Sequence, residues 1–348
     1  MKRVASLVAL CLTCLALAGC AGLDDETGSA DSLKPIMTNT VDPARAAATT
    51  PLGLWRGGMT MLLMTTRDSA GPASPWFGSK RATDPTAARI VLYPPSKSLL
   101  ASVNPLGPGG WTIAGVNEFG GSQPAGALAT QAEGRDVLIY VHGFNETFES
   151  ATTSYAKLVA GMQFSGVPIL FTWPSRGALL DYVTDRESAM WSRDTLEDTL
   201  TALASDEKVG HIHILAHSMG GLVTLEALRS IADRSGGALA SRFGAIVLAN
   251  PDVDIDLFKR QTKRLAPLVP KMTVIISSKD RALELSSKIA GNVPRVGTSD
   301  REALDQTGVK VVDATDYGSG MINHDIFMSR EELRGVIERA IENAGDGQ

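Results

Sequence analysis

Cysteine is nearly absent from this sequence of 348 residues: there are 3, at positions 11, 14 and 20. The rest of the chain therefore has no thiol for a disulfide framework or a thiolate metal site. An excess of basic charge is also lacking, because 33 Lys and Arg stand against 38 Asp and Glu. This balance excludes the electrostatic footprint of a nucleic-acid-binding protein. With 44% hydrophobic residues, the chain can nevertheless bury a large core.

The N-terminal apolar run is too short to span a membrane. Lys2 and Arg3 precede an uncharged stretch of 15 residues, 4–18, against the roughly 20 that a spanning helix needs. This pattern predicts a secretory signal over residues 1–19. Its end, Leu17-Ala18-Gly19-Cys20, resembles the lipobox of bacterial lipoproteins, which implies cleavage before Cys20 and acyl chains on that residue.

The residues that follow Cys20 predict an envelope protein on a tether. The residue directly after Cys20 is Ala21 rather than an aspartate. By resemblance to enteric lipoproteins, this implies the outer membrane, facing the periplasm, if the source is Gram-negative. We therefore expect the membrane to be a partner through the lipid anchor. Residues 20–51 are rich in Ala, Thr, Asp, Gly and Ser without periodicity and predict a flexible tether. A single domain is expected over residues 52–343.

Short apolar runs separated by glycine-rich and proline-rich segments predict the strands of that domain. Most are apolar on both faces, as is typical of buried parallel strands. The runs cover residues 59–65, 89–93, 137–141, 169–172, 211–216, 245–249, 272–276 and 309–312. Helices are predicted over residues 147–162, 182–204, 220–233, 281–290 and 331–343. This alternation predicts an α/β fold with a doubly wound, mostly parallel sheet and helices on both faces.

A sharp turn after the run 211–216 carries the clearest functional signal. Ala216-His217-Ser218-Met219-Gly220 fits the nucleophile elbow G-x-S-x-G, with alanine in the first glycine position. The serine of such a turn has a strained backbone, so the residues two before and two after it must be small. The following helix presents unpaired amides and the positive end of its dipole, which favour negative charge beside the serine. We predict Ser218 as a nucleophile.

Three further motifs accompany the elbow, at residues 141–145 (VHGFN), 173–176 (WPSR) and 278–283 (SKDRAL). With them the sequence resembles the α/β-hydrolases, and more narrowly a bacterial α/β-hydrolase family of uncharacterised function (DUF900-like), over about residues 55–330. The resemblance implies the α/β-hydrolase fold and a triad in the order serine, acid, histidine. Of the 5 histidines only His324 follows Ser218, so it is the predicted base.

The acid of the triad has more than one candidate. Asp252, Asp280 and Asp313 all follow predicted strands. The resemblance implies an acid at the place of Asp280, which we therefore favour, with Asp252 as the alternative. Its task would be to accept the Nδ1 proton of the base and so fix the reactive tautomer.

Two backbone amides are predicted to form an oxyanion hole, which stabilises the negative charge that develops on the substrate carbonyl. Met219 directly follows the nucleophile and would supply one amide. Phe144 would supply the other, since it follows His142-Gly143 at the end of an earlier strand, and Gly143 lets the backbone approach closely.

Other side chains are expected to have structural roles. His211 and His213 alternate along one strand like a metal-binding pair, but no third ligand cluster is evident, so packing is favoured and no metal is predicted. His217 is expected to point into the scaffold, and Trp173 to pack rather than to line a pocket. The helix over 182–203 is a candidate lid with a mostly solvated charged face.

These features predict a serine hydrolase, carboxylesterase or lipase-like, that acts on an ester or acyl substrate, either a small molecule or a lipid, through an acyl-enzyme. No cofactor is required. A thioesterase or peptidase would use the same machinery and stays open. A hypothesis of another class is a catalytically inactive binding module at the cell envelope. A missing triad member would favour that module, whereas each role here has a candidate.

Overall fold

The computed structural model describes residues 47–95, 110–178, 181–318 and 324–345. The predicted apolar runs are strands of one sheet, and two of them, Val137–Val141 and Met272–Ile276, have the predicted bounds. In chain order the strands are β1 (Gly53–Trp55), β2 (Gly58–Ser69), β3 (Phe77–Tyr93), β4 (Thr112–Phe119), β5 (Val137–Val141), β6 (Val167–Thr172), β7 (Ile212–His217), β8 (Phe243–Ala249), β9 (Met272–Ile276) and β10 (Lys310–Asp313).

The order of the strands across the sheet is β10-β9-β8-β7-β5-β6-β2-β3-β4, with β1 paired to β2. All neighbours from β10 to β2 are parallel. The pairs β2·β3, β3·β4 and β1·β2 are antiparallel. The carboxyl ends of the parallel strands therefore meet at one edge of the sheet, and the loops that follow these strands lie near one another.

Helices cover both faces of the sheet, as predicted. They are α1 (Pro124–Ala132), α2 (Phe148–Met162), α3 (Tyr182–Trp191), α4 (Arg193–Ser205), α5 (Met219–Ser235), α6 (Ile255–Arg264), α7 (Arg281–Ile289), α8 (Arg301–Asp305), α9 (Ile326–Ser329) and α10 (Glu331–Gly345). One buried core lies between one face of the sheet and the helices α1, α3, α4, α5 and α6. A second core lies between the other face and the helices α2, α9 and α10. The predicted doubly wound, mostly parallel sheet is confirmed.

The helix predicted over residues 182–204 is wrong in its continuity. It is two helices, α3 and α4, which meet at the buried Ser192. The hydroxyl of Ser192 lies 2.8 Å from that of Thr66 on β2, so a tertiary contact accompanies the break. Leu196, Leu200 and Leu203 of α4 belong to the core, and α4 is therefore packed on the sheet rather than placed as a lid.

The predicted signal peptide 1–19, the lipidation site Cys20 and most of the predicted tether lie outside the described residues. The end of that tether is described and touches the domain: Ala47 is fully buried, and Nε of Arg89 on β3 donates to its carbonyl oxygen at 3.0 Å. Contacts of the domain thus begin before residue 52. Within the described ranges, no helix combines the length and the apolar character that crossing a membrane requires.

Candidate active site

Ser218 stands at the sharp turn between β7 and α5. Its backbone dihedrals are φ 52° and ψ −120°, which confirms the strained conformation predicted for the elbow. The Ser218 amide donates to the carbonyl of Ala249 on β8 at 3.0 Å, so the neighbouring strand holds the turn. The residue is 2% exposed. The helix α5 begins directly after it, so the Met219 amide belongs to the first turn, where backbone amides lack helical partners.

Two glycines let backbone segments close in around Ser218. A Cβ on Gly220 would lie 2.5 Å from the carbonyl oxygens of both Val141 and His142, at the end of β5. A Cβ on Gly143 would lie 2.9 Å from Cβ of Ser218. The small residue two positions after the serine, Gly220, is therefore required by the close approach of the backbone at the end of β5 as well as by the turn. The close approach predicted for Gly143 is confirmed.

His324 and Asp280 are brought together, although 44 residues separate them in the chain. Nδ1 of His324 lies 2.7 Å from Oδ2 of Asp280, and since a carboxylate can only accept, Nδ1 carries the proton. The His324 side chain is 17% exposed and that of Asp280 is fully buried. Residues 319–323 of the loop that leads to His324 lie outside the described ranges.

Asp280 is held by two neutral donors besides the imidazole. Its Oδ1 accepts from the Leu283 amide at 3.0 Å as the N-cap of α7, and its Oδ2 accepts from Nδ2 of Asn250 at 2.8 Å. The cap hydrogen bond and the positive end of the helix dipole are both directed at this carboxyl group. Asn250 follows β8 and has a positive φ of 45°. Sequence reasoning missed this residue.

Asp252, the alternative acid, is bound into a different buried cluster. Its Oδ2 accepts from the Tyr182 hydroxyl at 2.7 Å and its Oδ1 from the Ser286 hydroxyl at 2.6 Å. Nε of Arg295 lies 3.2 Å from Oδ1, and both side chains of this ion pair are almost fully buried. Burial, followed by the charge of Asp252, raises the pKa of Tyr182 to about 12, so the phenol stays protonated.

A cleft of about 300 Å³ opens beside Ser218. Ser218, His324 and Asp252 all contribute to its lining, together with Phe144 and Tyr182. The rings of Phe144 and Tyr182 meet edge to face with centroids 5.4 Å apart. The nucleophile and the base predicted from the sequence therefore face one space in which a substrate carbonyl could lie.

The oxyanion loop, residues 142–147, carries the predicted second amide, that of Phe144. His142 at its start is fully buried. Its Nε2 accepts from the Trp173 amide at 3.1 Å, so Nδ1 carries the proton and donates to the Gly143 carbonyl at 2.8 Å. Burial lowers the pKa of His142 to about 3, which keeps this tautomer neutral. A neutral imidazole thus fixes the glycine that precedes Phe144.

Arg67 on β2 is a further residue that sequence reasoning missed. It is 1% exposed, and its guanidinium donates to the hydroxyl of Thr172 and to the carbonyls of Gly78, Ser175 and Glu146 at 2.7–3.1 Å. Two of these acceptors lie in the oxyanion loop and in the loop after β6. An arginine at the end of a long apolar strand was the available signal, because charge is rarely placed there without buried partners.

His217, expected to point into the scaffold, is buried but also contacts the base. Its Nε2 donates to the carbonyl of His324 at 3.1 Å, and the two rings are 4.6 Å apart. Its ring also lies 4.9 Å from that of Phe327 on α9. Burial lowers the pKa of His217 well below its usual value, so it remains neutral beside His324. The expectation missed this support of the His324 backbone.

His211 and His213 lie at the opposite edge of the sheet from Ser218. Nδ1 of His213 accepts from the Ala245 amide at 3.0 Å, and each imidazole has a nitrogen 3.9 Å from a carboxylate oxygen of Asp136. In the described part of the chain, no group of three or more His, Cys, Asp or Glu is placed to hold a metal ion. Trp173 is fully buried, stacks on His142 and packs as expected.

Comparison with known proteins gives distant relatives. An uncharacterised protein of Nostoc sp. is 23% identical over 126 residues, which cover 29% of this chain and 33% of that protein. The match thus spans about a third of the relative's length. Among solved structures, an esterase of Pyrobaculum calidifontis has 14% identity and a TM-score of 0.38, with 86% and 87% of the two chains covered. An uncharacterised protein from Bacillus cereus has 13% identity, a TM-score of 0.39 and coverages of 62% and 61%.

The family itself is given by a sequence profile. The profile described as alpha/beta hydrolase of unknown function (DUF900) matches residues 125–341, more than half of the chain. This range contains the parallel strands from β5 to β10, the turn at Ser218, and both His324 and Asp280. The sheet topology and the match confirm the α/β-hydrolase fold, and the chain belongs to this family of alpha/beta hydrolases of unknown function.

Proposed function

We propose that the protein is a serine hydrolase that cleaves carboxylic esters through an acyl-enzyme intermediate. The observation that carries the proposal is the 2.7 Å contact between Nδ1 of His324 and Oδ2 of Asp280, with Ser218 lining the same cleft as His324. An imidazole held by a carboxylate presents its unprotonated Nε2 as a general base. The family match supports the hydrolase class, and the ester substrate is our inference.

In the proposed reaction, Oγ of Ser218 attacks the ester carbonyl carbon while Nε2 of His324 takes the hydroxyl proton. The carbonyl π electrons move to oxygen, and the amides of Phe144 and Met219 stabilise the resulting oxyanion. Collapse expels the alcohol, which takes the proton from His324 and leaves an acyl-serine. Water then attacks the acyl-serine with the same base, and the carboxylic acid leaves while Ser218 regains its proton.

A fluorophosphonate probe tests this proposal, since it labels only an activated serine. We expect the wild-type protein to be labelled and Ser218→Ala to be unlabelled. Ser286→Ala is the matched control, because Ser286 also lines the cleft but its hydroxyl donates to Asp252. A folded wild-type protein that takes up no label and hydrolyses no ester would overturn the proposal.

We also propose that Cys20 carries a lipid anchor and places the protein at the cell envelope. This proposal is supported by the sequence pattern of residues 2–20 alone. Labelled palmitate should be incorporated into the full chain expressed in bacteria and should be lost in Cys20→Ser. Absence of label from the wild-type chain would contradict the anchor without affecting the proposed chemistry.

A further inference from the structure

The cleft beside Ser218 offers a substrate apolar surface and little that is polar. One wall is α7, where Leu285 and Ile289, one turn apart, are 50% and 49% exposed although both are large hydrophobic residues. The rings of Phe144 and Tyr182 form another part of the lining. Exposed apolar side chains that converge on a concave site are typical of a surface that a ligand covers.

Three polar side chains of the cleft, Tyr182, Asp252 and Ser286, are already bonded to one another. The Tyr182 hydroxyl donates to Asp252 and lies 2.8 Å from that of Ser286, which itself donates to Asp252. The charge of Asp252 is balanced by Arg295 at 3.2 Å. A hydroxyl-rich substrate group placed on this wall would have to break these bonds to gain its own, whereas an apolar group leaves them intact. Asn145 and Arg281, which also line the cleft, are exposed to solvent rather than part of this cluster. The wall formed by Tyr182 therefore presents its ring rather than its hydroxyl.

From this lining we infer that the cleft binds the unbranched apolar chain of an ester, laid against Leu285 and Ile289, and selects against sugar esters. This inference rests on the proposed function. A volume of about 300 Å³ is at the lower end of the range for small-molecule sites, so the chain is short to medium in length. Each methylene that the cleft fully buries should raise kcat/KM about fourfold, until the cleft is filled.

The test uses two series of esters: p-nitrophenyl esters with acyl chains from acetate to dodecanoate, and acetates of alcohols of increasing length. We expect kcat/KM to rise with chain length in one series and then to level off. The double variant Leu285→Gln/Ile289→Gln keeps the length of both side chains but makes them polar. In this variant, kcat/KM for the hexanoyl or hexyl ester, divided by kcat/KM for the shortest ester of the same series, should fall at least tenfold. Both positions are half exposed, so the variant should fold.

Val183→Gln is the matched control, since Val183 is 62% exposed but lies outside the cleft lining. Its chain-length ratio should equal that of the wild type. The inference is overturned if neither series depends on chain length, if the double variant keeps the wild-type ratio, or if an acetylated sugar is the better substrate. These outcomes are read in protein that the fluorophosphonate labels. Loss of both labelling and ester hydrolysis would instead overturn the proposed function, and with it this inference.

Discussion

Replacing Arg67 tests how the edge of the sheet that carries Ser218 is held together. Its buried guanidinium donates to the Thr172 hydroxyl at 2.8 Å and to the carbonyls of Gly78, Ser175 and Glu146 at 3.0, 3.1 and 2.7 Å. These acceptors belong to different strands and loops. Arg67→Met keeps most of the apolar stem but removes every donor, so all four acceptors lose this partner.

The expected loss of stability follows from two opposing contributions. Hydrogen bonds to charged groups contribute about 1.5–3 kcal/mol each, so losing the four should cost about 6–12 kcal/mol. Burial lowers the pKa of Arg67 from 12.5 to about 10 against the opposing attraction of nearby carboxylates, so the charged guanidinium bears a net penalty of about 3 kcal/mol that is absent from the variant. The difference predicts that Arg67→Met lowers the free energy of unfolding by at least about 3 kcal/mol.

Urea unfolding followed by circular dichroism measures this change as a lower midpoint at an unchanged slope. Arg193→Met is the matched control, because Arg193 is a partly exposed arginine paired with the neighbouring Asp194. It should cost less than about 1 kcal/mol. If Arg67→Met cost no more than this control, the four acceptors would have other partners and Arg67 would not hold the two loops.

Three other changes test the site and its surroundings. Asp280→Asn should lower kcat by about 10⁴, as loss of the triad acid does in related chemistry, and Asp252→Asn should lower it far less; equal losses in an ester assay would refute the choice of acid. Gly220→Ala should lower the free energy of unfolding by more than about 4 kcal/mol in thermal unfolding, because its Cβ would lie 2.5 Å from two backbone carbonyl oxygens. In the control Gly221→Ala the Cβ would lie 3.1 Å from a proline side chain, so stability should change by about 1 kcal/mol or less. Similar values for the two variants would contradict this account. Burial lowers the pKa of His213 from 6.5 to about 4, so the unfolded chain binds a proton that the folded protein does not, and stability is lost as pH falls from 6.5 to 4. His213→Leu should remove up to about 1.4 kcal/mol per pH unit of this dependence in urea titrations, and an unchanged slope would speak against a neutral buried His213.

The strands that could be predicted are those whose own residues form a continuous apolar run. β5 and β9 are continuous apolar runs because both of their faces are buried, and their bounds were predicted correctly. β4 was missed because most of its residues are only partly buried and leave no such run. The first half of β3 was missed for the same reason, since it carries exposed polar residues. The break at Ser192 is accompanied by a contact with Thr66, more than a hundred residues away, and no local pattern encodes that contact.

The candidate site was predictable to the extent that topology decides it. The elbow sequence identified Ser218, and chain order left His324 as the base; the structure places both on one cleft. The supports of these residues were not predictable, because each depends on which loops meet at the sheet edge. Asn250 is an ordinary polar residue in the sequence. Arg67 stands out at the end of an apolar run, but only the strand order brings these two residues to Asp280 and to the oxyanion loop.

The two aspartates of the site differ in what already balances their charge. Asp252 lies against the buried Arg295, so an imidazolium that forms during the reaction would meet a carboxylate whose field is largely cancelled. The carboxylate of Asp280 contacts the imidazole of His324, and its donors Asn250 and the Leu283 amide are neutral. A carboxylate that is not paired with a guanidinium stabilises the developing imidazolium more strongly than one that is. This difference favours Asp280 as the acid of the proposed triad. It also makes Asp252 a fixed wall of the cleft, since a carboxylate neutralised by Arg295 adds little field to the space in which an apolar chain would bind.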